Sequence, residues 1–148
     1  MGWCPWLLPG LAGGMVVVAM PLAAQTAARE AMPAMISLEL NRLEPIDGAC
    51  RIYFVLQNRS ASSFDKLTLE LVSFGPDGLV GQRLGIDLAP LRAGKTVVKL
   101  FDLPGGSCDR VQRLLVNDMP ACMLDGAPVD DCLDRLQVSS RAPVELFK

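Results

Sequence analysis

From residue 36 onward the chain is built of short runs in which apolar and polar residues alternate. In "ISLELNRL", Ile36, Leu38 and Leu40 fall on one side and Ser37, Glu39 and Asn41 on the other. In "CRIYFVLQN", Cys50, Ile52, Phe54 and Leu56 fall together. "KLTLELVSF" sets Leu67, Leu69 and Leu71 opposite Thr68 and Glu70, and "RLGIDL" sets Leu84, Ile86 and Leu88 opposite Gly85 and Asp87. Successive side chains leave a strand on opposite faces, so a period of two predicts half-buried β-strands. "TVVKLF" adds a β-branched, apolar run, and "DRVQRLLVND" reads as a further strand. The runs are separated by turn formers: Pro45–Gly48, Asn58–Ser63, Gly75-Pro76-Asp77-Gly78, Ala89–Gly94 and Pro104–Ser107. Residues 119–132, "MPACMLDGAPVDDC", read as a long, Ω-like loop, and "LQVSSRAPVELFK" can supply a last strand. Short strands at this spacing predict an all-β antiparallel sandwich or barrel.

The first 28 residues follow a different pattern. They contain no Asp, Glu, Lys or Arg, so all 14 basic and 16 acidic side chains lie beyond them. An apolar middle, small residues and an abrupt return to charge at Arg29-Glu30 make a signal peptide over residues 1–28, with cleavage after Ala24 or Ala28. The rival is an uncleaved membrane anchor, which Pro9, Pro21 and the Gly10, Gly13, Gly14 cluster oppose. Cys4 precedes the apolar run, the wrong place for a lipoprotein. Residues 29–148 then form one domain. A net charge of −2 gives no electrostatic reason to expect nucleic acid or an anionic membrane surface.

Four cysteines remain beyond the signal: Cys50, Cys108, Cys122 and Cys132. In an exported chain an even count predicts two disulfides, with three connectivities open. Zinc is the weaker alternative, because no Cys-x-x-Cys pair and no histidine is present. The missing histidine also excludes Ser-His-Asp and Cys-His catalysis. Carboxylates are left. Asp130 and Asp131, with Asp125 and Asp134, form the densest acidic cluster, a candidate for calcium or for a carboxylate-only enzyme. Its spacing is not that of an EF-hand, and a solvated loop explains it as well. Met32, Met35, Met119 and Met123 offer thioethers to Cu(I), but without a histidine partner they read as core filler. "LRAGKT" at 91–96 carries the tail of a phosphate-binding loop. The first glycine of that motif is replaced by Ala89, Pro90 removes a backbone donor, and a strand follows where a helix is required. It is expected to be a turn, and no nucleotide or other cofactor is expected.

From Ile52 to Phe101 the chain resembles FxLYD-type immunoglobulin-like domains, on "VLQNRSASSFDKLTLELVSFGPDG" and "LAPLRAGKTVVKLF". From Ile36 to Lys148 it resembles a family of uncharacterised alphaproteobacterial envelope proteins, often labelled Tat pathway signal sequence domain proteins. That likeness rests on "LNRLEPIDGACRIYFVLQN", "AGKTVVKLFDLPG", "LLVND", Cys122, Cys132 and "SSRAPVELFK". No arginine precedes Arg29, so a twin-arginine route is not visible in this chain. The resemblance implies a single immunoglobulin-like β-sandwich. It also implies the pairs Cys50–Cys108, where two antiparallel strand ends meet, and Cys122–Cys132, closing a loop over 122–132. The expectation for function is a periplasmic protein of a Gram-negative bacterium, non-enzymatic, serving as an envelope accessory or interaction module with an envelope protein as partner. The alternative is an inhibitor or chaperone-like protein that inserts loop 122–132 into its target.

Overall fold

The structure is a computed structural model that describes residues 1–3, 35–105 and 107–148. The chain divides into a unit Met1–Glu30 and a unit Ala31–Lys148. The signal-peptide reading of residues 1–28 lies, apart from residues 1–3, outside the described residues, as does Met32. No helix among the described residues is long and apolar enough to cross a membrane.

The predicted strands form. They are β1 (Ile36–Ile46), β2 (Ala49–Asn58), β3 (Phe64–Phe74), β4 (Val80–Asp87), β5 (Thr96–Pro104), β6 (Arg113–Leu124), β7 (Ala127–Pro128), β8 (Leu136–Ser140) and β9 (Glu145–Phe147), with one 3-10 turn at Cys108–Arg110. One sheet has the order β5-β2-β1-β8. The other has the order β4-β3-β6-β7, with β9 also paired to β6. The chain changes sheet between β2 and β3, between β4 and β5, between β5 and β6, and again on entering and on leaving β8. This is the connectivity of an immunoglobulin-like sandwich.

The alternating residues are the core. Ile36, Leu38, Leu40, Ile52, Phe54, Leu56, Leu67 and Leu69 are fully buried between the sheets, with Leu71 and Ile86 nearly so. Each buried large aliphatic or aromatic side chain stabilises by about 1.5–3 kcal/mol relative to exposure. Both disulfides form as the resemblance implied: Cys50–Cys108 and Cys122–Cys132. They enclose separations of 58 and 10 residues. Restriction of the unfolded chain over loops of those sizes is worth about 4 and about 3 kcal/mol. Formed disulfides of this kind belong to an oxidising, non-cytoplasmic compartment.

Two elements differ from the sequence expectation. Residues 119–124 are not loop: β6 continues to Leu124, and Asp125-Gly126, both at positive φ, turn it back into β7. Met119–Leu124 qualifies as strand because β3 pairs with it (Lys66 with Met123, Leu67 with Cys122, Thr68 with Ala121), a tertiary fact that local composition hides. Only the stretch from Val129 to Cys132 is irregular within the disulfide-closed segment. The tail supplies two strands where one was expected, and both pair in parallel: β8 with β1 and β9 with β6. The otherwise antiparallel sandwich is thereby laced across its sheets by its own C-terminus.

Candidate protein-interaction surface

The two flanks of the sandwich end differently. On one flank the C-terminal strands cover β1 and part of β6. On the other, β4 and β5 are the terminal strands of their sheets among the described residues. β5 pairs with β2 from Thr96 to Pro104 and with no other strand among the described residues. Half of its backbone N–H and C=O groups therefore point away from the sheet, the usual template for another strand.

The way β5 is delivered explains its position. Leu88 and Leu91 are fully buried and anchor the β4–β5 connection, with Leu91 bridged to Phe64. Asn58, fully buried at the end of β2, organises this end of the fold. Its amide donates to the carbonyls of Ser62 (2.8 Å) and Leu91 (3.1 Å), and its Oδ1 accepts from the Ser60 N–H and hydroxyl. "LRAGKT" is the turn that follows. Lys95 N–H donates to the Arg92 carbonyl, and Gly94 sits at φ +65°, where an L side chain is strained. A strand, β5, follows it, and Lys95 is exposed. A phosphate loop needs a helix N-terminus there.

Once in the sheet, β5 turns Thr96, Val98, Leu100 and Asp102 outward and Val97, Lys99, Phe101 and Leu103 inward. Val98 and Leu100 retain 58% and 46% exposure. They stand opposite Val55 and Tyr53 of β2, which are half-buried, so four apolar or aromatic side chains adjoin on the outer face at the open edge. Beside this patch the outer face becomes ionic. Arg51 pairs with Asp102 (2.7 Å), Arg42 with Glu44 (3.5 Å) and Arg141 with Glu39 (2.9 Å). The Arg42 guanidinium lies over the Tyr53 ring at 4.2 Å, and the Tyr53 hydroxyl donates to Glu44. Arg51 beside Asp102 holds that carboxyl below the ordinary aspartate range, and Asn41 and Arg141 do the same for Glu39. These exposed pairs orient side chains more than they stabilise the fold.

Lys99 is the exception on the inner side. It is half-buried, opposite Phe54, and donates to the Ala89 carbonyl at 3.0 Å. It enters none of the ion pairs among the described residues. At the far end of the flank a cavity of about 300 Å³ opens between the start of β4 and the end of β5. Leu79, Val80, Leu103 and Val111 give it apolar walls, and Gln82 and Arg110 give it polar ones. Leu79 and Val80 are 67% and 69% exposed. The nearby Gly75-Pro76-Asp77-Gly78 segment is a hairpin turn in which Asp77 accepts from the Leu79 N–H.

The acidic cluster does not converge. Among the described residues no group of three or more His, Cys, Asp or Glu side chains is placed to hold a metal. Asp125 accepts from the Ser63 N–H, which lowers its carboxyl pKa, and Asp131 faces Arg135 at 3.7 Å. Gly126 N–H donates to Asp65, so the tip of the disulfide-closed hairpin is fastened to β3 and the β2–β3 connection. Met119 and Met123 line one cavity of about 350 Å³, but Lys66 lines it too, a cation where Cu(I) would sit. Met35 is buried elsewhere, against Arg135. Arg141 belongs to the ionic outer face. Val98, Leu100 and Lys99 carried no motif in the sequence; the signal available was a strand apolar on both faces with one lysine inside it. Comparison of the chain with family models, with curated proteins and with solved structures finds no match.

Proposed function

We propose that the protein is an exported, periplasmic accessory of a Gram-negative envelope and acts as a non-enzymatic protein-interaction module. The observation that carries this reading is the exposed apolar pair Val98 and Leu100 on a terminal strand, adjoining Val55 and Tyr53. An apolar patch at a sheet edge is a usual docking feature of β-sandwiches. Export is supported by the uncharged first 28 residues together with the two disulfides. The inhibitor reading, in which segment 122–132 inserts into a target, draws less support, because the hairpin tip is fastened to Ser63 and Asp65.

A photo-crosslinking side chain placed at Val98 or at Leu100 in intact cells tests the proposal. A crosslink to a second protein is expected from these positions and not from Ser139 on β8. Self-crosslinks alone, or equal crosslinking from Ser139, would overturn it.

A further inference from the structure

The chemistry of the open edge says what kind of partner it takes. Any strand laid against β5 must place its inward side chains opposite Val97, Lys99 and Phe101, because paired residues share a face. Lys99 then faces the newcomer from a half-buried position, with two of its three N–H donors beyond the Ala89 bond still to satisfy. A carboxylate opposite it would form a partly desolvated, charge-assisted pair, stronger than the exposed pairs of the outer face. A second copy of β5, added so that both cores lie on the same side of the continued sheet, does not provide one. Its inward residues are then Val97, Lys99, Phe101 and Leu103, and its acidic residue, Asp102, faces outward. In the register that sets Val98 against Leu100 of the other copy, the two lysines oppose each other. An inward-facing lysine on an edge strand is a known device against such self-pairing.

Building on the interaction-module reading, we infer that β5 accepts, by strand addition, an extended segment of a different protein with a carboxylate opposite Lys99 and apolar side chains over Val98 and Leu100. Backbone hydrogen bonds supply the pairing, and the Lys99 contact sets the register. The cavity beside Leu79, Val80 and Leu103 lies where the segment leaves β5 and can seat one further apolar side chain.

The probe is a capped heptapeptide, TVVEVVT, titrated against the full disulfide-bonded chain. Replacing its central Glu by Lys is expected to weaken binding at least tenfold, on the order of one charge-assisted contact. Lys99→Glu is expected to reverse that preference. Peptides N-methylated at alternate residues separate strand addition from adhesion to the face. One alternation abolishes binding and the other preserves it if the backbone pairs, and both bind alike if it does not. Lys99→Gln, which keeps the donor to Ala89, guards against a folding defect in Lys99→Glu. It is expected to remove the Glu-over-Lys preference while the circular-dichroism melt stays near that of the parent. No preference for the Glu peptide, or indifference to N-methylation, overturns strand addition. If crosslinks from Val98 to a second protein persist in that case, the interaction-module reading survives without it.

Discussion

The two flanks of the sandwich are made of similar strands yet finished in opposite ways. On one, the chain after Val129 returns twice. β8 joins β1 in the first sheet and β9 joins β6 in the second. Leu136, Val144 and Leu146 from this return are buried. Arg113 pairs with Glu145 (2.8 Å) while its guanidinium lies 4.2 Å from the Phe147 ring. Cys122–Cys132 fastens the start of the return. On the other flank no such return covers β4 and β5 among the described residues, and the apolar side chains there stay exposed. The difference teaches that apolar content does not decide which edge is sealed. The sealed flank is the one whose apolar residues meet a second segment from the other side.

Substitutions on the two flanks should therefore differ sharply. Leu136→Ala, at 2% exposure on β8, is expected to cost about 3 kcal/mol, read from urea unfolding. Leu100→Ala on β5 should cost well under about 1 kcal/mol, as exposed positions do. Equal losses would break the comparison. Replacing Cys122 and Cys132 together by Ser should cost about 3 kcal/mol, mostly by freeing the unfolded chain. Partial proteolysis should then cut first between Val129 and Arg135, at the root of the return. An early cut in the β4–β5 connection would mean that the open flank is the looser one.

Asn58→Ala tests the anchor of the open flank. It removes one of the two donors to each of the Leu91 and Ser62 carbonyls and takes the acceptor away from the Ser60 N–H, and the expected loss is about 2 kcal/mol. Smaller still is Gly94→Val, which has room for a side chain but strains φ at +65°. About 1–2 kcal/mol is expected, while Lys95→Ala should be silent within about 0.5 kcal/mol. A large loss from Lys95→Ala would contradict its place as an exposed turn residue.

The smallest effect concerns pH. Glu39, Glu70 and Asp102 titrate below their ordinary values because hydrogen bonds favour the ionised form. The donors are Asn41 and Arg141 for Glu39, Arg83 and Asn117 for Glu70, and Arg51 for Asp102. A lowered folded value means that the contribution is complete above the unfolded carboxylate value of about 4 and is lost as pH falls through the lowered value. Carboxyl NMR titration of Arg141→Ala should move Glu39 upward and leave Glu70 unmoved. Movement of both would mean that the two faces are electrostatically coupled.

Much of the framework follows from order along the chain. Period-two runs place Ile36, Leu38, Leu40, Ile52, Phe54 and Leu56 in the core because burial of one sheet face imposes that period. Turn formers separate the strands where no side chain has a partner to pack on. Four cysteines without histidine lead to disulfides, and the two pairs expected for an immunoglobulin-like sandwich are the two that form. Residues 119–124 misread because they open the segment 119–132, whose two prolines, one Gly and three Asp between its cysteines and around them give it loop composition. β3 overrides that composition by pairing with the segment from 60 to 53 positions away along the chain.

What the tertiary structure alone decided is exposure. "TVVKLF" and "LQVSS" are both strand-like, and nothing local marks one as a bare edge and the other as a seal. β8 seals because the disulfide and the β6–β7 hairpin return it to β1. β5 stays bare because the buried Leu88 and Leu91 deliver it to β2 at the sheet's end. Local sequence fixes which faces alternate. Whether an edge meets water or another strand depends on the whole path of the chain, and on this protein that path leaves Val98, Lys99 and Leu100 at the boundary.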